Sequence, residues 1–273
     1  MSPLGNGVID AGEDCDDGNV VPGDGCDPAG QIEAGWDCPQ PGSPCLHVSG
    51  FSAGTATSGG ILGSNTGGSA YSLTCAAGQA LVGVRVYDAS NCACASAATQ
   101  VGSFVPLCAE VSVDATGNFS WAVPMTNLAE VGGNQGQGAL LGELTCSNDR
   151  FVIGVRGRIN DDPMAYGELE TIRLRCARFA FATDPMGGTI DRSGANNTGE
   201  LGADPVDQGA VCSGNRLMVG LDGFEGAVVD LVDAQCAELT PTYCGDGNID
   251  VHESCDDGNA IAGDGCDMLC QSE

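Results

Sequence analysis

Sixteen cysteines in a chain of 273 residues are the feature that most limits how this protein can fold. The count is even and the spacings recur, while only His47 and His252 could share a metal with them, so disulfides fit better than zinc sites. Disulfides form in oxidising compartments, and we therefore expect a secreted, extracellular protein. The N-terminus carries neither the basic nor the apolar segment of a signal peptide, so we infer that one has been removed. No apolar run approaches the roughly 18 residues that span a bilayer.

The charge of the chain excludes one class of partner. Nine basic residues stand against 37 acidic ones, giving a net charge of −28. A nucleic-acid-binding protein needs a basic patch, so we expect no nucleic-acid partner. Apolar residues make up 42% of the chain, which is enough to build a core.

The two ends of the chain resemble each other at a constant offset of 240 residues. Residues 4–19 align with residues 244–259, and the Gly-Asp-Gly-Cys-Asp segment at 23–27 returns at 263–267. We therefore divide the chain into an N-terminal module (1–48), a central body (49–240) and a C-terminal module (241–273).

The shared residues of the modules are mostly Asp, Asn, Glu, Gly and Cys, which offer oxygen ligands and little hydrophobic core. No arginine or lysine occurs in 1–45 or 241–273, so the clustered carboxylates predict bound cations, and their hard oxygens favour Ca²⁺. The pattern lacks the twelfth-position glutamate and the flanking helices of an EF-hand. The predicted calcium ligands are Asn6, Asp10, Glu13, Asp16, Asp17, Asn19, Asp24 and Asp27 in the first module, and Asp246, Asn248, Asp250, Glu253, Asp256, Asp257, Asn259, Asp264 and Asp267 in the second.

This pattern resembles the calcium-binding repeats of thrombospondin type 3, and more closely the cysteine-rich disulfide repeat of secreted myxobacterial proteins. The residues that carry the resemblance are Cys-Gly-Asp-Gly, Glu-x-Cys-Asp-Asp-Gly-Asn and Gly-Asp-Gly-Cys. In the N-terminal copy Leu4 and Gly30 stand where Cys244 and Cys270 align, so two cysteines are lost together. We therefore predict the pairs Cys244–Cys270, Cys255–Cys266 and Cys15–Cys26, with Cys38–Cys45 closing a short loop.

The central body contains three copies of a second repeat. Each begins with a cysteine, at 75, 146 and 212, continues into an apolar strand that reaches a glycine, and ends a second strand on another cysteine, at 108, 176 and 236. We predict one disulfide within each copy. Cys92 and Cys94 remain, either as a tight bridge or as a reactive pair.

Two strands and a Gly-rich ribbon per copy predict three small antiparallel sheets that bury their apolar faces against one another. The predicted fold class is all-β, a three-repeat β-prism-like body with small disulfide-rich, calcium-binding terminal modules. A sandwich or a trefoil is the alternative.

The body resembles vitelline membrane outer layer protein and, more distantly, jacalin-type lectins, both of which are three-sheet prisms. The resemblance implies that a sugar site would use a Gly-Gly loop near the start of the prism and a Gly-x3-Asp turn near its end. Gly59-Gly60 lies in about the right region, whereas neither 220–224 nor 225–230 is taken to match the turn.

Catalysis is not expected. The two histidines lie in the terminal regions, and no nucleotide-binding motif is present. Asp161, Asp162, Glu168 and Glu170 could pair as glycosidase acids, but neighbouring acids in loops are usually solvated.

We therefore predict a secreted, calcium-binding structural or adhesive protein that self-associates end to end into filaments or binds other extracellular proteins. A secreted lectin with a glycan partner is the rival interpretation. An accessory module of a secreted protease is the third.

Overall fold

A computed structural model describes residues 4–64, 68–89, 100–132, 138–159, 169–183, 187–202 and 208–273. The fold is all-β, as predicted. Its strands are β1 (Trp36–Asp37), β2 (Leu46–Ala53), β3 (Thr57–Gly63), β4 (Ser69–Thr74), β5 (Gln79–Asp88), β6 (Val101–Val113), β7 (Phe119–Trp121), β8 (Thr126–Asn127), β9 (Leu140–Thr145), β10 (Phe151–Ile159), β11 (Leu169–Ala182), β12 (Thr189–Gly202), β13 (Gln208–Val211), β14 (Arg216–Glu225) and β15 (Val229–Cys244). A membrane-spanning helix does not occur among these residues.

Three antiparallel sheets form the body, one from each sequence repeat. The first sheet has the order β7-β6-β5-β9, with β8 also paired to β6. The second has the order β12-β11-β10-β13, and the third β1-β2-β15-β14-β4, with β3 on the same edge of β15 as β2. The three-repeat prism expected from the sequence is therefore confirmed.

A β-bulge explains why each repeat carries an unbroken apolar run ending in glycine. The register of the first strand shifts by one residue just before Gly83, Gly154 and Gly220. An extra residue reverses the alternation of side chains, so consecutive apolar residues can all be buried. A methyl group on any of these glycines would meet a carbonyl oxygen of the neighbouring strand closer than 3.0 Å, which is why the position requires glycine.

The repeats interlock in a ring. The short strand that precedes each repeat pairs with the sheet of the repeat before it, so β9 joins β5, β13 joins β10, and β4 closes the ring on β14. Three equivalent backbone hydrogen bonds of 2.8–2.9 Å mark these joins, from Cys75 N to Val219 O, Cys146 N to Val82 O and Cys212 N to Ile153 O. The ends of the prism sequence are thereby held in one sheet.

The bulges divide the interior into two cores. Residues after each bulge, such as Val84, Val155 and Leu221, face a core shared by all three sheets. Residues at the bulges face a second core, which strand β2 closes with Val48 and Phe51.

The predicted disulfides are confirmed wherever the chain is described. The bonds are Cys15–Cys26, Cys38–Cys45, Cys75–Cys108, Cys146–Cys176, Cys212–Cys236, Cys244–Cys270 and Cys255–Cys266. Cys92 and Cys94 lie outside the described residues. Seven disulfides are consistent with an extracellular protein.

The two terminal modules lie side by side and not at opposite ends of the body. Their half-cystines share one buried cluster with Trp36 and Ala260. Strand β2, which leaves the first module, pairs with the end of β15, which enters the second. This strand pairing brings the ends of the chain together, so the fold does not present a separate module at each end for filament growth.

Candidate functional site

Carboxylates in the modules stabilise turns. Asp16, only 4% exposed, accepts backbone hydrogen bonds from Asn6, Gly7 and Gly18. Burial acts to raise the pKa of Asp16, but these N–H donors outweigh it and hold the pKa below its usual value. In the second module Asp256 accepts from Gly247 and Gly258, the equivalents of Gly7 and Gly18, and from Gly245.

Other predicted ligands have the same role, in equivalent pairs. Asp27 and Asp267 each accept two N–H groups of the following turn, and Glu13 and Glu253 accept those of Asp10 and Asp250. The repeat extends further than the sequence comparison recognised. Glu33 and Glu273, also 240 residues apart, both accept from the glycine at 23 or 263. Gly-rich turns without long strands leave many N–H groups to satisfy, and these carboxylates satisfy them.

Three predicted ligands lie beside one another in the first module. Asp17, Asn19 and Asp24 line a cavity of about 70 Å³ between the modules. Burial and the adjacent Asp24 raise the pKa of Asp17, against the lowering effect of the Asn19 N–H. Asp24 Oδ1 is shielded from solvent and has no hydrogen-bond partner within the described part of the chain.

The corresponding part of the second module is more open. Asp246, Asp257 and Asp264 are exposed, and burial followed by Asp246 and Asp256 raises the pKa of Asp250. Oxygen atoms of Glu253 and Asp256 and the sulfur of Cys270 lie within 4.8 Å of one another, but that sulfur is in a disulfide and is not a thiolate ligand. The remaining predicted ligands, Asn6, Asn248 and Asn259, each donate a side-chain hydrogen bond to a nearby aspartate. The seventeen residues therefore do not form one coordination sphere.

A larger cleft of about 410 Å³ separates the second module from the first sheet. His252 lies in its wall and packs on Phe51 with 5.7 Å between ring centroids. A methyl group on Gly50 or Gly78 would strike this imidazole, so His252 occupies a fitted position between module and body.

A different carboxylate stands out at the far end of the third sheet. Asp230 follows the turn between β14 and β15 and is 8% exposed. Burial raises its pKa. Within the described residues, no ion pair or hydrogen bond reaches the carboxylate oxygens of Asp230. Such an acid keeps its capacity to accept hydrogen bonds from a ligand.

Glycine backbone surrounds this carboxylate. Methyl groups on Gly68 and Gly226 would lie 2.9 and 3.0 Å from Asp230 Oδ2, and one on Gly63 would strike the Asp230 carbonyl oxygen. The same carbonyl accepts from Ser64 N at 3.1 Å. Gly63 and Gly68 are required because the backbone of Asp230 and Glu225 already occupies the space of a side chain, whereas at Gly226 the missing side chain leaves room beside the carboxylate itself.

The equivalent positions in the other sheets differ. Glu170 in the second sheet pairs with Arg158 at 3.3 Å and accepts from Gln100. In the first sheet the equivalent position is held by Gly102, which has no side chain. Among these three described positions, Asp230 alone offers an unpaired carboxylate.

Sequence reasoning missed this site although its signal was present. Gly226 and Asp230 have the Gly-x3-Asp spacing, although residues 225–230 are not taken to match the turn on sequence alone. Gly59-Gly60 was placed in the loop region but lies within β3, where a methyl group on Gly59 would strike Cys236 Sγ. The loop glycine beside Asp230 is Gly68. The candidate acids Asp161, Asp162 and Glu168 lie outside the described residues.

Comparisons with known proteins give one family match and several structural neighbours. A family model described as a domain of unknown function (DUF4215) matches residues 225–271, which hold β15 and most of the second module. No curated protein matches the chain.

Several solved structures are similar to this chain over about two thirds of its length. Malaysian banana lectin is 14% identical and covers 68% of this chain and 99% of its own, with a TM-score of 0.39. A mannose-specific jacalin-related lectin from Morus nigra, in complex with mannose, is 14% identical over 67% of this chain and 96% of its own, with a TM-score of 0.42. Calystegia sepium agglutinin is 16% identical over 69% and 99%, with a TM-score of 0.40.

Proposed function

We propose that this protein binds carbohydrate at the turn that holds Asp230. The observation that carries the proposal is a largely buried carboxylate without a protein partner among the described residues, lined by glycine backbone. Sugar hydroxyls donate hydrogen bonds to carboxylates and accept them from exposed backbone N–H groups, and a few such groups suffice to orient a ligand. This replaces the structural and adhesive role as the first interpretation.

The equivalent positions in the other two sheets offer no unpaired carboxylate, which supports one sugar site per chain. Arg158 and Gln100 already occupy Glu170, and glycine 102 has no side chain to offer. A single site of this type is expected to bind a free sugar weakly.

The test is glycan-array screening followed by calorimetry with the best sugar. Hydrogen bonds to a charged group contribute about 1.5–3 kcal/mol each, so Asp230→Ala, which removes the acceptor of two hydroxyls, should weaken binding by roughly 100-fold or more. The matched control is Asp233→Asn on the same strand, whose carboxylate accepts from Ser58. Undiminished binding by Asp230→Ala, or the absence of any bound glycan, would refute the proposal.

Calcium binding by the modules is a second candidate function. It is favoured by the shielded, unpartnered Oδ1 of Asp24 beside Asp17, because two close carboxylates are stabilised by a shared cation. Asp17 and Asp24 offer carboxylate oxygens that suit Ca²⁺, while Asn19 Oδ1 already accepts from Val21 N at 2.6 Å and would have to bind the ion through its other lone pair. These residues would hold the ion between the modules, where it would neutralise the carboxylates and stiffen the contact.

Calorimetric titration with Ca²⁺ tests this second function. Asp24→Asn should remove the tightest binding event, whereas Asp14→Asn, an exposed acid of the same module, should leave it unchanged. Equal calcium binding by both variants would contradict the assignment.

A further inference from the structure

The arginines of this chain are segregated. All nine basic residues are arginine, and seven of them fall between residues 150 and 192, in and beside the second sheet. The modules contain none, but hold nine carboxylates in residues 1–45 and eight in residues 241–273. One molecule thus carries both an acidic end and a local basic surface.

The strand register gathers four of these arginines on one outward face. Leu174 and Ile172 of β11 point into the core, so Arg173 and Arg175 point outward. Arg156 of β10 lies directly opposite Arg173, and Arg158 lies two residues further along β10 on the same face. We call Arg156, Arg158, Arg173 and Arg175 the arginine face.

Half of the arginine face has no acidic partner. Arg158 pairs with Glu170 and Arg173 with Glu200. Arg156 and Arg175 make no ion pair with any residue that the structure describes. Arg156 faces Arg173 across the strands, and like charges in that position destabilise a sheet.

Arg156 and Arg175 are half-buried and have small or uncharged neighbours on the adjoining strands. Arg156 lies beside Gly209, and Arg175 lies opposite Gly154 on one side and Asn197 on the other. Burial lowers the pKa of Arg192 on the neighbouring strand, and the nearby Arg175 contributes to the same shift. An incoming carboxylate would relieve this repulsion.

We infer that the arginine face binds the acidic modules of a second copy of this chain. Arg156 and Arg175 offer planar guanidinium groups that bind carboxylates in pairs of hydrogen bonds. The modules supply carboxylates on a rigid, disulfide-bonded surface with no competing basic residue. At 0.15 M salt the Debye length is about 8 Å, so repulsion between the two acidic bodies is screened while ion pairs at the contact remain.

The contact joins two different surfaces and is therefore heterologous. Each copy keeps one free module surface and one free arginine face, so association continues into open chains unless the rotation closes a ring. This inference does not depend on the sugar site. An assembly of several copies would carry several sugar sites and would therefore bind glycans multivalently.

Sedimentation of the full chain at 0.15 M salt, with a chelator present to exclude calcium bridging, tests the inference. The wild-type protein should form concentration-dependent assemblies that dissociate near 1 M salt. Arg156→Glu combined with Arg175→Glu should weaken association by about tenfold or more, because exposed ion pairs are replaced by repulsion. Arg156→Gln with Arg175→Gln should weaken it in the same direction. The matched control, Arg85→Glu with Arg216→Glu, makes the same change in net charge on the other sheets and should associate normally.

The decisive measurement is sedimentation of the wild-type protein mixed with the Arg156→Glu/Arg175→Glu variant. The Arg156→Glu/Arg175→Glu protein keeps intact modules, so it should bind the free arginine face of a wild-type chain and shorten the assemblies. Three outcomes would overturn the inference: a wild-type monomer at about 1 mM, equal loss in the control, or no shortening on mixing. Retention of a monomeric wild type on a sulfated polysaccharide through Arg156 and Arg175 would also overturn it, by assigning the face to a foreign polyanion.

Discussion

Replacing Gly63 with alanine tests the link between the prism and the Asp230 site. Gly63 has φ of +102°, and equivalent glycines occur at Gly132 and Gly202 with φ of +117° and +132°. An added methyl group at each would overlap a carbonyl oxygen of the adjoining strand, at Asp230, Gly102 or Glu170 respectively. The three positions thus share one steric requirement, but only Gly63 touches the proposed sugar site.

Two terms make up the expected destabilisation. A residue other than glycine in this backbone region costs about 1–3 kcal/mol, and forcing a methyl group into closed space costs about 1–3 kcal/mol more. Gly187 isolates the first term, because its φ is +122° but nothing lies within 4 Å of an added methyl group. We expect Gly63→Ala to be roughly 2 kcal/mol less stable than Gly187→Ala, which lowers Tm by about 4–8 °C in a domain of this size.

Thermal unfolding followed by circular dichroism gives the stability, and calorimetry on the folded variants gives sugar affinity. Gly63→Ala and Gly202→Ala should lose similar stability, and only Gly63→Ala should also lose affinity. If Gly63→Ala and Gly202→Ala unfold at the same temperature as Gly187→Ala, the close-packing argument is wrong. If both keep full affinity, the Asp230 turn is not the sugar site.

Three further predictions concern pH and disulfides. Sugar affinity should fall on acidification at a higher pH than an ordinary aspartate would give, because burial raises the pKa of Asp230, and Asp230→Asn should abolish this dependence in calorimetric titrations. Urea unfolding should show stability falling as pH drops from 7 to 5, because burial lowers the pKa of both His47 and His252 in the folded state and the unfolded chain therefore binds protons first. His47→Phe should reduce this dependence, and His252 accounts for the part that remains. Removing Cys75–Cys108, with a sequence separation of 33, should cost roughly 4 kcal/mol, and removing Cys38–Cys45, with a separation of 7, roughly 2 kcal/mol, as measured by thermal unfolding.

The disulfide pairs were predictable because the cysteines occupy corresponding positions in repeated segments of the sequence. Cys244 and Cys270 lack counterparts at Leu4 and Gly30, so their joint absence identified them as partners. The three central pairs followed from the position of each cysteine at the start or end of a repeat. A disulfide joins fixed points of a repeated unit, and that relation survives in the sequence without any knowledge of side-chain packing.

The role of the module carboxylates was harder to predict. The same Asp and Gly pattern serves a cation site and a set of turns in which carboxylates accept backbone N–H groups. Asp16 and Asp256 have the second role in the structure, and the calcium assignment stays a prediction. Only coordinates reveal which oxygen atoms a backbone donor already occupies.

By itself the sequence determined the all-β class, the three-repeat prism and the disulfide pairs, because each repeats a local pattern along the chain. The tertiary structure decided what depends on residues distant in sequence. It placed both modules together through the pairing of β2 with β15, closed the ring by joining β4 to β14, and brought Gly68 beside Asp230. It also decided which acids are neutralised, since Arg158 reaches Glu170 while no described cation reaches Asp230. Local patterns specify strands and turns, whereas the pairing of distant edges specifies the sites between them.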